Sequence, residues 1–172
     1  TATYTLASVV DDMDLWVTDI IWGEDHLSNS AVHIQIFSAL GLKTLPNFAH
    51  LSLLYNQEQE ISKRSGGFEI LSLKNKGIEP MVINSFLATI GTSDNIAQYL
   101  DLDSLLFNFC FDKFSSTRVH YDEKSISNLN KKYIASLAYE DVKERLNSNI
   151  TKEFWLCIRN NIDIIKDAKK WW

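Results

Sequence analysis

The chain has 172 residues, 45% hydrophobic and 23% charged, which excludes an intrinsically disordered chain and fits one domain or one and a half. Its formal net charge is −5, so any nucleic acid would have to meet a local basic patch against a repulsive overall field. The two cysteines, Cys110 and Cys157, match no metal spacing, and no apolar run reaches the length of a membrane span.

In chain order, "YTLASVV" (4–10) is an apolar run that reads as a strand, broken by Asp11, Asp12 and Asp14. "WVTDIIWG" reads as a second short strand closed by Gly23. "LSNSAVHIQIFSALG" opens on Ser/Asn cap candidates, spaces Ala31, Ile34, Phe37 (or Ile36) and Leu40 as a helix does, and ends on Gly41. Pro46 starts the next connection and "FAHLSLLYN" is a third buried strand, followed by the loop "EISKRSGG" (60–67). Strands interleaved with a helix predict a parallel α/β sheet.

After Gly67 the pattern is helical. "FEILSLKNKG" is a short helix closed by Gly77, and Pro80 opens "PMVINSFLATIG", closed by Gly91. Segments 100–109, 123–137, 139–148 and 151–172 each read as a helix with an apolar face. The fold class is therefore α/β plus all-helical, helix-dominated, with domains at 1–66 and 67–172. Aromatic and aliphatic neighbours ("FNFCFDKF", "FWLCIRN") predict that Cys110 and Cys157 are buried free thiols of a reducing compartment. The chain starts without leader or initiator Met and stops at "KDAKKWW" with two exposed tryptophans, as expected of an excised fragment.

Two segments carry chemistry. "IIWGEDHLSN" places Glu24, Asp25 and His26 between a strand and a helix, where open α/β sheets hold ligands and where a ribose or adenine could be contacted. The plainer alternative is a polar turn with a helix cap. A metal reading of these carboxylates with His26 and His33 lacks a second ligand pair and is disfavoured. "EISKRSGG" sets Lys63 and Arg64 on a glycine-flanked loop suited to clamping phosphates, although P-loop spacing is absent. Its alternative is a solvated charged turn.

In series, "YTLASVVDD", "GEDHLSNS", "IQIFSALG", "FAHLSLLYN", "ISKRSGGF", "GIEPMVINSFLATIGTSD" and "FDKFS" resemble the bacterial glutamyl-tRNA synthetases, a class I aminoacyl-tRNA synthetase family, most of all its alphaproteobacterial members. The resemblance runs from Tyr4 to at least Asn130 and, less closely, on to Trp172. It implies an enzyme that activates glutamate with ATP and Mg²⁺ and transfers it to tRNA. The fold implied is the second half of a Rossmann-like catalytic domain followed by a helical stem-contact domain and the start of the anticodon-binding region.

The resemblance also implies site residues. Lys63 matches the second lysine of a loop that stabilises charge at the α-phosphate, with Arg64 in the same field. The backbone of Ile61 and Ser62 would approach the nucleotide, Leu53 and Leu54 would flank the adenine, and Asp25 and His26 would lie near the ribose and base. Tyr4 and Ser8 match positions lining the glutamate pocket. Lys113, Arg118, Lys124, Lys131 and Lys132 are candidate tRNA contacts, with a solvated charged face as the alternative.

The chain departs from the family at two positions. Trp22 stands where the family has an arginine that pairs with the glutamate carboxylate, and an indole cannot form that bidentate pair. Glu60 stands where a further lysine is common. The family's H-x-G-x signature is absent from these residues, so the isolated chain is expected to be inactive. It is further expected to be monomeric and cytoplasmic, without a membrane anchor or a metal site of its own. The competing expectation is a tRNA-binding helical module with a degenerate nucleotide half. The choice between tRNA-Glu and tRNA-Gln would rest in anticodon domains outside these residues.

Overall fold

The computed structural model describes residues 3–56, 59–60 (backbone) and 69–172. The chain folds as two compact units, Thr1–Leu53 with Ser115–Arg118, and Leu54–Phe114 with Val119–Trp172.

In the first unit, helix α1 (Tyr4–Asp14) precedes strand β1 (Asp19–Gly23), helix α2 (Leu27–Ala39) and strand β2 (Asn47–Leu51). The strands run parallel, with Ile20 opposite Phe48 and Trp22 opposite His50. Alternation puts Ile20, Trp22, Phe48 and His50 on one face, and Val9 of α1 and Phe37 of α2 pack with Ile20 there.

The first segment is thus a helix, not the expected strand. Its inward positions are Thr5, Ser8, Val9, Asp12 and Met13, spaced i, i+3, i+4, i+7, i+8. Two of the five, Ser8 and Asp12, are strongly polar, which hides the helical period from a reading of apolar residues alone. Helix α2 forms where expected and ends before Gly41 at φ 88°. It buries Ser30, His33 and Phe37, however, while Ala31, Ile34 and Leu40 face outward.

The second unit holds strands β3 (Leu54–Asn56) and β4 (Gln59–Glu60) and helices α3 (Ile70–Asn75), α4 (Pro80–Thr89) and α5 (Leu102–Asn108). Strand β5 (Val119–His120) and helices α6 (Glu123–Ser136), α7 (Tyr139–Val142), α8 (Lys152–Ile158) and α9 (Ala168–Trp171) follow. Strand β3 pairs antiparallel with β4 and parallel with β5. Leu73, Val82, Phe86, Ile126, Ile134, Val142, Trp155 and Ile162 anchor the core.

Asn130, 1% exposed, ties this core together. Its Oδ1 accepts from Glu79 N at 2.9 Å and its Nδ2 donates to Asp163 O at 2.8 Å. Beside it, Arg145 donates both Nη atoms to the buried Glu79 carboxylate at 2.6 and 2.8 Å.

Three further expectations need correction. Segment 139–148 is only one α-turn followed by a 3₁₀ turn. Segment 151–172 is not one helix, because Ile162 and Ile164 turn to extended backbone (ψ 147° and 151°), and the break lets Ile162 and Ile165 enter the core. Cys110 and Cys157 are exposed: Cys110 sits in the extended link after α5, and Cys157 lies on the outward side of α8 while Trp155 and Ile158 take its inward positions. Among the described residues, no helix is long and apolar enough to cross a membrane.

Candidate functional site

The carboxyl ends of β1 and β2 lie side by side at Gly23 and Leu51. The chain leaves β1 through a 3₁₀ turn, Glu24–His26, that runs directly into α2. Glu24 turns inward, and its Oε1 accepts from the Leu53 backbone N–H at 3.4 Å, tying the turn to the segment after β2. Gly23 leaves room here for the Asp25 carboxylate. A Cβ at this position would stand 2.5 Å from Asp25 Oδ1 and 3.0 Å from Leu53 Cδ2.

Asp25 and His26 are consequently presented to solvent, with His26 Nε2 3.6 Å from Asp25 Oδ2 and His26 Nδ1 2.9 Å from Asn29 Nδ2. Two carboxylate oxygens and an imidazole at the strand ends can meet hydroxyls and a heterocycle edge. Leu53 closes the first unit and is half-buried there, whereas Leu54, also half-buried, begins the second.

Trp22 is half-buried on β1 within a cluster of rings. Its indole is 4.7 Å from His33, nearly perpendicular, 5.5 Å from His26, 6.0 Å from Phe48 and 6.4 Å from His50. His50 is fixed in turn by Ser30, Oγ to Nε2 2.8 Å. His33 is 2% exposed, and its Nδ1 has no hydrogen-bond partner among the described residues. Burial pushes its pKa below the ordinary value, against a raising pull from Asp12 and with a further lowering push from His26. Burial likewise raises the Asp12 carboxyl, partly offset by His33. The structure thus adds His50 and Ser30 to the neighbourhood foreseen from sequence, and it places Glu24 and His33, both named there, on its inward side. The signal for His50 was its two-residue spacing from Phe48; nothing in the sequence marked His33 as more than a residue seven positions from His26.

Ser8 is on the inward side of α1, and Tyr4, at its first turn, is 80% exposed. Ile61, Ser62, Lys63 and Arg64, the loop on which the phosphate chemistry was expected, lie outside the described residues. The basic candidates divide. Lys113, Lys124, Lys131 and Lys132 belong to the second unit and Arg118 to the first. Lys113 Nζ pairs with Asp94 at 2.7 Å and Lys131 Nζ with Asp163 at 3.1 Å, while Lys124 and Lys132 are exposed along α6.

The family model described as tRNA synthetases class I (E and Q), catalytic domain, matches residues 1–134. The chain belongs to that family. Within it, the chain is 43% identical over its whole length to "Glutamate--tRNA ligase 1" of Orientia tsutsugamushi (strain Ikeda), and 46% identical over 99% of its length to the protein of that name in Rickettsia typhi. It spans only 39% of each of those relatives. Among solved structures, a glutamate-tRNA synthetase from Elizabethkingia anophelis superposes with a TM-score of 0.74 at 24% identity, covering 98% of this chain and 40% of that one. A glutamate tRNA ligase from Elizabethkingia meningosepticum, in complex with its amino acid, gives 0.75 at 23% identity, covering 98% and 39%. These likenesses show the fold: a partial, helix-dominated Rossmann-like class I synthetase fold.

Proposed function

We propose that this chain forms part of a glutamate–tRNA ligase, in which residues 1–66 belong to the catalytic nucleotide-binding domain and 67–172 form the helical stem-contact domain and the start of the anticodon-binding region. The observation that carries this is the turn Glu24–His26 at the carboxyl ends of a parallel strand pair, closed over a glycine and presenting Asp25 and His26 outward.

In this reading Asp25 and His26 hold the ribose and base of ATP, with Leu53 and Leu54 beside the adenine. Ile61 and Ser62 bring backbone to the nucleotide. Lys63, with Arg64, offsets the charge that gathers at the α-phosphate during adenylate formation. Tyr4, Ser8 and Trp22 face the amino acid. No group of three or more metal-ligating side chains forms among the described residues, so Mg²⁺ in this scheme comes with the phosphates of ATP. Lys113, Arg118, Lys124, Lys131 and Lys132 meet tRNA phosphates, and the protein works as a cytoplasmic monomer.

A chimera tests this directly: the chain replaces the matching segment of the Rickettsia typhi ligase, and glutamate-dependent pyrophosphate exchange is followed. Exchange should appear and fall about 100-fold in Lys63→Ala, the cost typical of removing one transition-state donor. Absence of exchange, with the chimera folded, would refute the reading.

A second reading, a tRNA-binding module whose nucleotide half is degenerate, draws on Trp22. Its indole is packed into His33, Phe48 and His50, so the position offers no cation for a glutamate carboxylate. Under that reading the chimera binds tRNA but fails exchange with glutamate.

A further inference from the structure

At the opposite, amino ends of β1 and β2 lies a groove of about 680 Å³. One wall is the end of α1 (Asp12, Asp14 and Trp16), and the other is the loop that carries Leu42, Leu45 and Pro46.

Helix α1 closes in a Schellman turn, with Trp16 N–H donating to Met13 O at 3.2 Å and Val17 N–H to Asp12 O at 2.9 Å. The position that this turn drives to positive φ is normally glycine. Here it is Trp16, at φ 55° and 85% exposed. Local stability opposes a bulky residue there and is not repaid by burial. Asp11, Asp12 and Asp14 crowd the same helix end, where the helix dipole is already negative and cations are preferred. Lys43, on the loop wall, is the one lysine or arginine among residues 3–53.

The groove therefore offers an apolar floor, an indole face and a negative pole. That combination suits a cation carried next to an apolar side chain, by ion pairing and cation–π contact. We propose that this groove docks a partner protein through a short segment bearing lysine or arginine beside a leucine-like residue. The site is separate from the Gly23–His26 turn and does not depend on the function proposed above.

The test uses the 172-residue chain and the probe peptide acetyl-Leu-Arg-Arg-Leu-amide, followed by NMR. Trp16→Gly identifies the Trp16 indole N–H signal and restores the residue that the turn favours, so its melting temperature should rise. The peptide should shift that indole signal saturably, and its affinity should fall at least tenfold in Trp16→Gly and at least threefold in the Asp12→Asn/Asp14→Asn pair. Equal affinity in Trp16→Gly would overturn the proposal. So would equal binding of acetyl-Leu-Glu-Glu-Leu-amide, or arginine amide binding as tightly as the peptide, which would mark a small-amine site. Self-association of the chain abolished by Trp16→Gly would assign the groove to a second copy and overturn it as well.

Discussion

The buried imidazole of His33 stands nearly perpendicular to the indole of Trp22, ring centres 4.7 Å apart, with no hydrogen bond to its Nδ1 among the described residues. This pair joins α2 to β1 immediately beside the turn that presents Asp25 and His26. It makes the state of His33 a matter for both stability and the site.

Burial holds the folded pKa of His33 below its ordinary value of 6.5. The unfolded chain then binds the proton more readily, so the stability contributed is complete above that ordinary value and is lost as pH falls toward the folded pKa. Melting temperature should decline between about pH 7.5 and about pH 5.5, around the usual imidazole range. His33→Phe should flatten part of that slope; an unchanged slope would exclude His33 as its source.

Gly23→Ala should damage the site more than the fold. The new Cβ would meet Asp25 Oδ1 at 2.5 Å and force the carboxylate aside. AMP binding, measured by calorimetry, should weaken about tenfold or more, since one misplaced polar contact costs about 1.4 kcal/mol or more. Retained affinity would remove Asp25 from the nucleotide contacts.

Trp22→Arg should not restore a carboxylate site by itself. A guanidinium placed against the buried His33 and Phe48 loses hydration without a built-in partner. The variant should lose about 2 kcal/mol in urea unfolding, within the range for burying an unpaired polar group. In the chimera, glutamate exchange should not rise in this variant; exchange well above that of the unchanged chain would refute the expectation.

In the second unit, Asn130→Ala would strand Glu79 N–H and Asp163 C=O in the core. The expected cost is about 3 kcal/mol by chemical denaturation. Arg145→Ala should cost about as much, because it leaves the buried Glu79 carboxylate unpaired, whereas Glu79→Leu with Arg145→Met should cost much less. Additive losses in that double variant would argue against coupling.

Salt should weaken tRNA binding, and Lys124→Ala and Lys132→Ala should each lower the slope of log affinity against log salt by about one. Lys131→Ala should change it less, since its Nζ already pairs with Asp163 at 3.1 Å. Binding insensitive to salt would refute phosphate contact by these residues.

Glycine and proline punctuation was legible in the sequence by itself. Gly41, Gly77 and Gly91 take positive φ at helix ends, and Pro80 opens α4, because these residues act through their own backbone. The strand-to-helix passage at "GEDH" was legible for the same reason, and so was the ordered series of motifs that places the chain in its family.

The face that each helix buries was decided by tertiary structure. Thr5, Ser8 and Asp12 turn inward on α1, and α2 buries His33 and Ser30 while Ile34 stays out, because the sheet face offers the Trp22 indole to His33 and the His50 imidazole to Ser30. Breaks at Ile162 and Ile164 arise similarly, since they let Ile162 and Ile165 both reach the core. Local propensity sets where an element can start and stop; which side of it meets the core depends on partners distant in sequence.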